Sequence, residues 1–173
     1  MSLLTEAQRL YDQYYDRIRA MSPDFADELL REALKCYSVE AHTTACIACR
    51  VAVEEELKEI YELVGSLGDR SAWQFVESMQ LESLKLWAMA VGIITGTQMS
   101  TIEHIQGRGN RSAHGPTSDM QRQMRNRTLQ DLANPLEIWA DRQDAQTQIQ
   151  STARILRKLK QKKEQIRQEQ RIR

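Results

Sequence analysis

Apolar residues recur along this chain at intervals of three and four, and no segment sustains the period-two alternation of a half-buried strand. The pattern predicts a first helix from about Thr5 to Met21, carrying Leu10, Tyr14, Ile18 and Met21. Ser22-Pro23 restarts the chain as N-cap and first helical position. A second helix then holds Phe25, Leu29, Leu30, Ala33, Leu34 and Tyr37. After a break around Ser38 to His42, a long third helix runs from Thr43 or Thr44 to Gly65. A fourth is expected from Ser71 to about Ile94. A fifth begins near Ser100 with Ile102 and Ile105, meets Gly107 and Gly109, and stops by Gly115-Pro116. A sixth, from Ser118 toward Leu132, is reset by Asn134-Pro135 and continues through Leu136, Ile138 and Trp139. The fold class is all-α, an up-and-down bundle of five or six helices.

Beyond Thr147 the helical pattern continues, but its apolar stripe is thin: Ile149, Leu156, Leu159 and Ile166. Lys163 and Gln170 interrupt it at heptad positions, which argues against an autonomous coiled coil. The expected organisation is a helical domain over 1–140 and a basic helical extension over 141–173. That extension reads either as a solvated arm or as one that dimerises or touches RNA.

Composition narrows the class. A chain of 173 residues that is 41% hydrophobic and 28% charged suits one globular domain with a real core. No apolar run approaches the roughly 20 residues that span a bilayer. Met1-Ser2-Leu3-Leu4-Thr5-Glu6 lacks the basic-then-apolar start of a secretory signal. Three cysteines without framework spacing suit a reducing compartment, so the expected location is cytoplasmic.

Charge is neutral in total but unevenly placed. From Asp141 to Arg173 ten Lys or Arg stand against four acids, a surplus of six that the rest of the chain cancels. A second basic patch comprises Arg108, Arg111, Arg122, Arg125 and Arg127, opposed only by Asp119. Such patches can track a phosphate backbone, although most are simply solvated.

The candidate chemistry lies in Gln106-Gly107-Arg108-Gly109-Asn110-Arg111-Ser112-Ala113-His114. Two glycines weaken a helix, so a kink or an end is expected there. Asn110 and His114 are four apart, on one face if the segment stays helical. Arg108, six before His114, can reach a similar side. A guanidinium, a carboxamide and an imidazole converging would suit an anionic phosphate. The plainer alternative is that Asn110 and His114 cap backbone groups at a helix end. Arg50 and Glu54, one turn apart, can form an intrahelical pair or hold the segment in register. His104 could support the site or sit at the surface. His42, Cys46 and Cys49 share one face, but no second Cys/His pair accompanies them, so no metal is assigned.

These segments, taken together, resemble a known family. Ala33-Leu34-Lys35-Cys36-Tyr37, then Ala45-Cys46-Ile47-Ala48-Cys49-Arg50 through Glu54 to Leu57, then Gly109-Asn110-x-x-x-His114, are similar in order and separation to the DUF4145 family of the HEPN superfamily. The resemblance covers roughly residues 23–139. It implies a HEPN-like helical bundle, commonly homodimeric, in which an Arg-x4–6-His motif from two protomers forms one cleft. It makes His114 the general acid or base, Arg108 the phosphate clamp and Asn110 their polar partner, with Arg111, Arg122, Arg125 and Arg127 along the RNA path. Cleavage would use the RNA's own 2′-hydroxyl and need no metal or cofactor. The implied setting is prokaryotic stress response or antiviral defence, with an antitoxin or a defence-complex protein as a further partner. A non-catalytic interaction module of the same fold is the alternative. The chain departs from the family at two places. Gly109 separates Arg108 from Asn110, and Gln106 stands where many members carry the arginine.

Overall fold

The structure, a computed structural model, describes residues 25–65, 79–114 and 140–172. Of these, 89% are helical and none lies in a strand, so the architecture is all-α. The described helices are α1 (Phe25–Ser38), α2 (His42–Gly65), α3 (Leu81–Ala90), α4 (Gly96–His114) and α5 (Arg142–Ile172). The helices expected over 5–21 and 118–132 and the restart at 134–135 fall outside the described residues. No described helix is long and apolar enough to cross a membrane.

Helix α2 is the axis of the bundle and packs against each of the others. Its sequence explains why it can. Ala45, Cys46, Ala48, Cys49 and Ala52 are all buried and all small, so neighbouring helices approach its first half closely. Leu57 and Ile60, fully buried, supply bulk in its second half. Helix α1 reaches α2 through a tight turn in which Glu40 takes φ 63°, the left-handed geometry that closes helices. The Ala41 amide donates back to the Cys36 carbonyl at 2.8 Å.

Helix α3 is shorter than expected, ending at Ala90, where Gly92 turns the chain at φ 76°. It is held to α2 by the edge-to-face pair Trp87–Tyr61, with ring centroids 4.7 Å apart. Helix α4 starts at Gly96, four residues earlier than expected, because Thr95 and Gln98 form a reciprocal cap. The Gln98 amide donates to the Thr95 hydroxyl, and the Thr95 amide donates to Gln98 Oε1.

The C-terminal helix differs most from expectation. Far from being a solvated arm, α5 lays Ala145, Ile149, Thr152, Ala153, Leu156 and Leu159 into the core. It runs parallel to α2 and antiparallel to α4, as cross-helix contacts along its length show. The two residues that interrupt its apolar stripe are both anchored. Lys163 Nζ meets Glu56 Oε1 at 2.6 Å and Glu59 Oε2 at 2.8 Å. Gln170 Nε2 donates to the Leu63 carbonyl at 2.8 Å. One turn before Lys163, Lys160 Nζ lies 3.1 Å from both Asp27 of α1 and Glu56 of α2. Glu56 is 0% exposed and Lys160 5%, so three helices are tied by ion pairs inside the bundle.

Candidate functional site

Helix α4 carries the candidate chemistry, and it is unbroken from Gly96 to His114. The expected kink or end at the paired glycines does not occur. Its cause is visible at Gly109, where a Cβ would sit 2.5 Å from Arg50 Cβ and 2.9 Å from Arg50 Cδ. Glycine is required because α4 lies directly on α2 at that point. Packing against α2 outweighs the helix cost of the two glycines.

An unbroken helix advances about 100° per residue, which sorts its side chains onto separate faces. The face toward α2 carries Ile102, Ile105, Gly109 and Ser112, all buried. A second face meets α5. Arg108 Nη2 donates to Asp144 Oδ1 at 2.6 Å, and one turn back His104 Nδ1 lies 2.9 Å from Gln148 Nε2. A third face meets α3: the buried Lys85 donates to Gln106 Oε1 at 2.7 Å and pairs with Glu82 at 2.7 Å. Gln106 Nε2 donates to Glu82 Oε2 at 3.1 Å. The Lys85 ammonium, and then the Gln106 amide, hold the Glu82 carboxyl below its usual range.

Asn110 stands one turn beyond Gln106 on this third face, half-buried, with no hydrogen-bond partner among the described residues. His114 closes α4 one turn further along; its side chain lies outside the described residues. Six residues of continuous helix put Arg108 about 120° away from His114. The expectation that Arg108 reaches a similar side is therefore corrected: it turns toward α5 while Asn110 turns toward α3.

Arg108 is also committed. Asp144 is the third residue of α5, and its Oδ2 accepts from the Asp141 amide at 3.1 Å while the Asp144 amide donates to Asp141 Oδ1 at 2.7 Å. That reciprocal cap fixes the carboxylate, and the carboxylate fixes the guanidinium. Arg108 Nε and Nη1 are buried and have no hydrogen-bond partner among the described residues.

Arg50 and Glu54 form the intrahelical pair at 3.3 Å, extended by Lys58 Nζ to Glu54 at 3.1 Å and Glu55 at 2.9 Å. The Arg50 stem is what Gly109 rests on, so this pair does brace the α4 segment. Arg111 is exposed on α4. Arg122, Arg125 and Arg127 lie outside the described residues. Among the cysteines, burial pushes the Cys46 thiol up to about 12, against the pull of Arg108 and with help from Asp144 and Asp141. Burial raises Cys49 further, opposed by the Thr152 hydroxyl. Both are neutral packing groups of α2. No group of three or more His, Cys, Asp or Glu that could hold a metal occurs among the described residues.

Comparisons with known families, with curated proteins and with solved structures find no match.

Asp144, Gln148 and Lys85 are site-shaping residues that sequence reading passed over. For Asp144 a signal exists, since Asp141-x-x-Asp144 before a helical run is a reciprocal capping pattern. Gln148 and Lys85 carry no such signal, because their partners are on other helices.

Proposed function

We propose that this chain is a HEPN-type RNA-acting module, a cytoplasmic homodimer that cleaves RNA without a metal. The observation that carries this reading is Asn110, a half-buried carboxamide with no partner among the described residues, one helical turn before His114 on a helix stiffened by its contact with Arg50. A carboxamide and an imidazole on one rigid face can hold a phosphodiester and move a proton near neutral pH. In the reaction the RNA 2′-hydroxyl attacks the adjacent phosphorus and the 5′-oxygen leaves with a proton. The products are a 2′,3′-cyclic phosphate and a 5′-hydroxyl end, and His114 handles the proton. The setting is prokaryotic stress response or antiviral defence, with an antitoxin or defence-complex protein as partner.

A second reading is a non-catalytic interaction module. The Arg108–Asp144 pair favours it, because it removes the expected phosphate clamp from the Asn110–His114 face. One experiment separates the two. Purified protein is incubated with total RNA and transfer RNA in EDTA, wild type beside His114→Ala. The nuclease reading expects wild type alone to leave cyclic-phosphate ends, with activity lost at least 100-fold in the variant. Intact RNA with both folded proteins establishes the interaction module instead.

A further inference from the structure

Helix α1 carries more apolar surface than the bundle covers. Ala26, Leu30, Ala33, Leu34 and Tyr37 are buried, and the helix packs on α2 and α5. Beside that face Phe25, Leu29, Glu32 and Cys36 follow at steps of four, three and four, within about 60° of one another around the axis. Phe25 is 57% exposed, and Leu29 and Cys36 are half-buried at the edge of the core. Steps of three and four are the seam positions of a two-helix coil.

The charges along this stripe complement themselves. Glu28 and Lys35 are one heptad apart, on the flank away from the core. Each already makes an exposed intrahelical pair, Glu28 Oε1 with Arg31 at 3.2 Å and Lys35 Nζ with Glu32 Oε2 at 3.1 Å. Such pairs are weak in water, and each leaves capacity to spare: on Glu28 the second carboxylate oxygen, on Lys35 two ammonium protons. If a second α1 lies end for end across a two-fold axis, Glu28 meets Lys35 of the second copy, twice by symmetry. The same register sets Phe25 on Cys36 of the second copy. It also sets Leu29 on the stem of Glu32 of the second copy, whose carboxylate stays with its own Lys35. In a parallel pair each charge would instead lie level with its own counterpart. Flanking charges of this kind set both partner and orientation.

We infer that the outer face of α1 binds a second copy of this chain in antiparallel orientation, with Glu28–Lys35 ion pairs at both ends of a Phe25–Leu29–Cys36 seam. The inference shares with the proposed function only that the chain pairs with itself, and it places the contact on α1 rather than on the Asn110 face of α4. A helix of 14 residues is about 21 Å long, so the contact falls short of the roughly 1,600 Å² of a standard interface. The dimer is therefore expected to dissociate on dilution.

The test is sedimentation equilibrium of the full-length chain over a dilution series. Wild type is compared with Glu28→Lys, with Lys35→Glu and with an equal mixture of the two variants; circular dichroism checks that each keeps its fold. Each variant alone sets two like-charge contacts across its own homodimer and is expected to associate at least 10-fold more weakly. The mixture restores both attractive pairs, and its heterodimer is expected within about 3-fold of the wild-type affinity. A monomeric wild type, variants that associate like wild type, or weakened variants that do not recover on mixing each overturn the inference. Dimerisation that ignores both substitutions refutes the α1 contact and leaves the homodimer of the proposed function standing through another face. Association that follows the charge pattern, without His114-dependent cleavage, keeps the α1 contact and rejects the nuclease.

Discussion

Replacing Lys160 with Met is expected to lower the unfolding free energy by about 3–5 kcal/mol, a large share of the stability of a chain this size. The change keeps the length of the side chain and removes its charge. It leaves Asp27 and Glu56, at 2% and 0% exposure, short of the ammonium that sits 3.1 Å from each. With one ammonium fewer, the two buried carboxylates share less positive charge, Glu56 keeping Lys163 at 2.6 Å, and that loss costs stability. The matched change Lys158→Met, on the exposed side of the same helix, is expected to stay within about 0.5 kcal/mol. Urea unfolding of the two variants decides the point. Equal midpoints would mean that the Asp27–Lys160–Glu56–Lys163 network is solvated and that α5 is not locked to α1 and α2. The same network means that truncation near Ala145 removes part of the core, so loss of function in such a truncation says nothing about an RNA-binding arm.

Gly107 and Gly109 of α4 are expected to respond with opposite signs. Gly109→Ala puts a methyl 2.5 Å from Arg50 Cβ, an atom fixed to the α2 backbone, so the helices must move apart. The expected cost is about 1–3 kcal/mol, despite alanine's better helix propensity. Gly107→Ala meets nothing within 4 Å and is expected to gain about 0.5–1 kcal/mol from propensity alone. Thermal unfolding reads both. Shortening Arg50 to Ala leaves its Cβ in place, so Arg50→Ala is not expected to rescue Gly109→Ala, whereas Arg50→Gly is.

Much of the fold was legible because helical periodicity survives wherever one face is apolar. Helices α1 and α2 emerge within a residue or two of the spacing of Leu30, Ala33, Leu34 and Tyr37 and of Ala45 through Ile60. Periodicity failed where burial is polar. Lys163 and Gln170 break the stripe of α5 by type, yet their partners Glu56, Glu59 and the Leu63 carbonyl lie more than a hundred residues earlier. Local propensity failed at Gly109, where contact with Arg50 decides the residue. The candidate site was legible as a segment but not as a geometry. That Asn110 and His114 share a face follows from spacing, once the helix is continuous. That Arg108 faces elsewhere also follows, but only after the glycines are known not to break the helix, and its partner Asp144 is 36 residues away.

In the proposed function Asn110 and His114 form the working face of α4, while Arg108 fastens α4 to α5 through Asp144. The most direct measurement compares Asn110→Ala and Arg108→Met side by side, reading RNA cleavage in EDTA and thermal unfolding on the same samples. The expected result is a split. Asn110→Ala keeps its unfolding midpoint and loses cleavage at least 10-fold, whereas Arg108→Met loses about 1.5–3 kcal/mol of stability because Asp144 loses its charge-assisted bond and keeps only the Asp141 amide. If Arg108→Met instead unfolds like wild type and abolishes cleavage, while Asn110→Ala remains active, then Arg108 is the clamp and the assignment of faces on α4 is wrong.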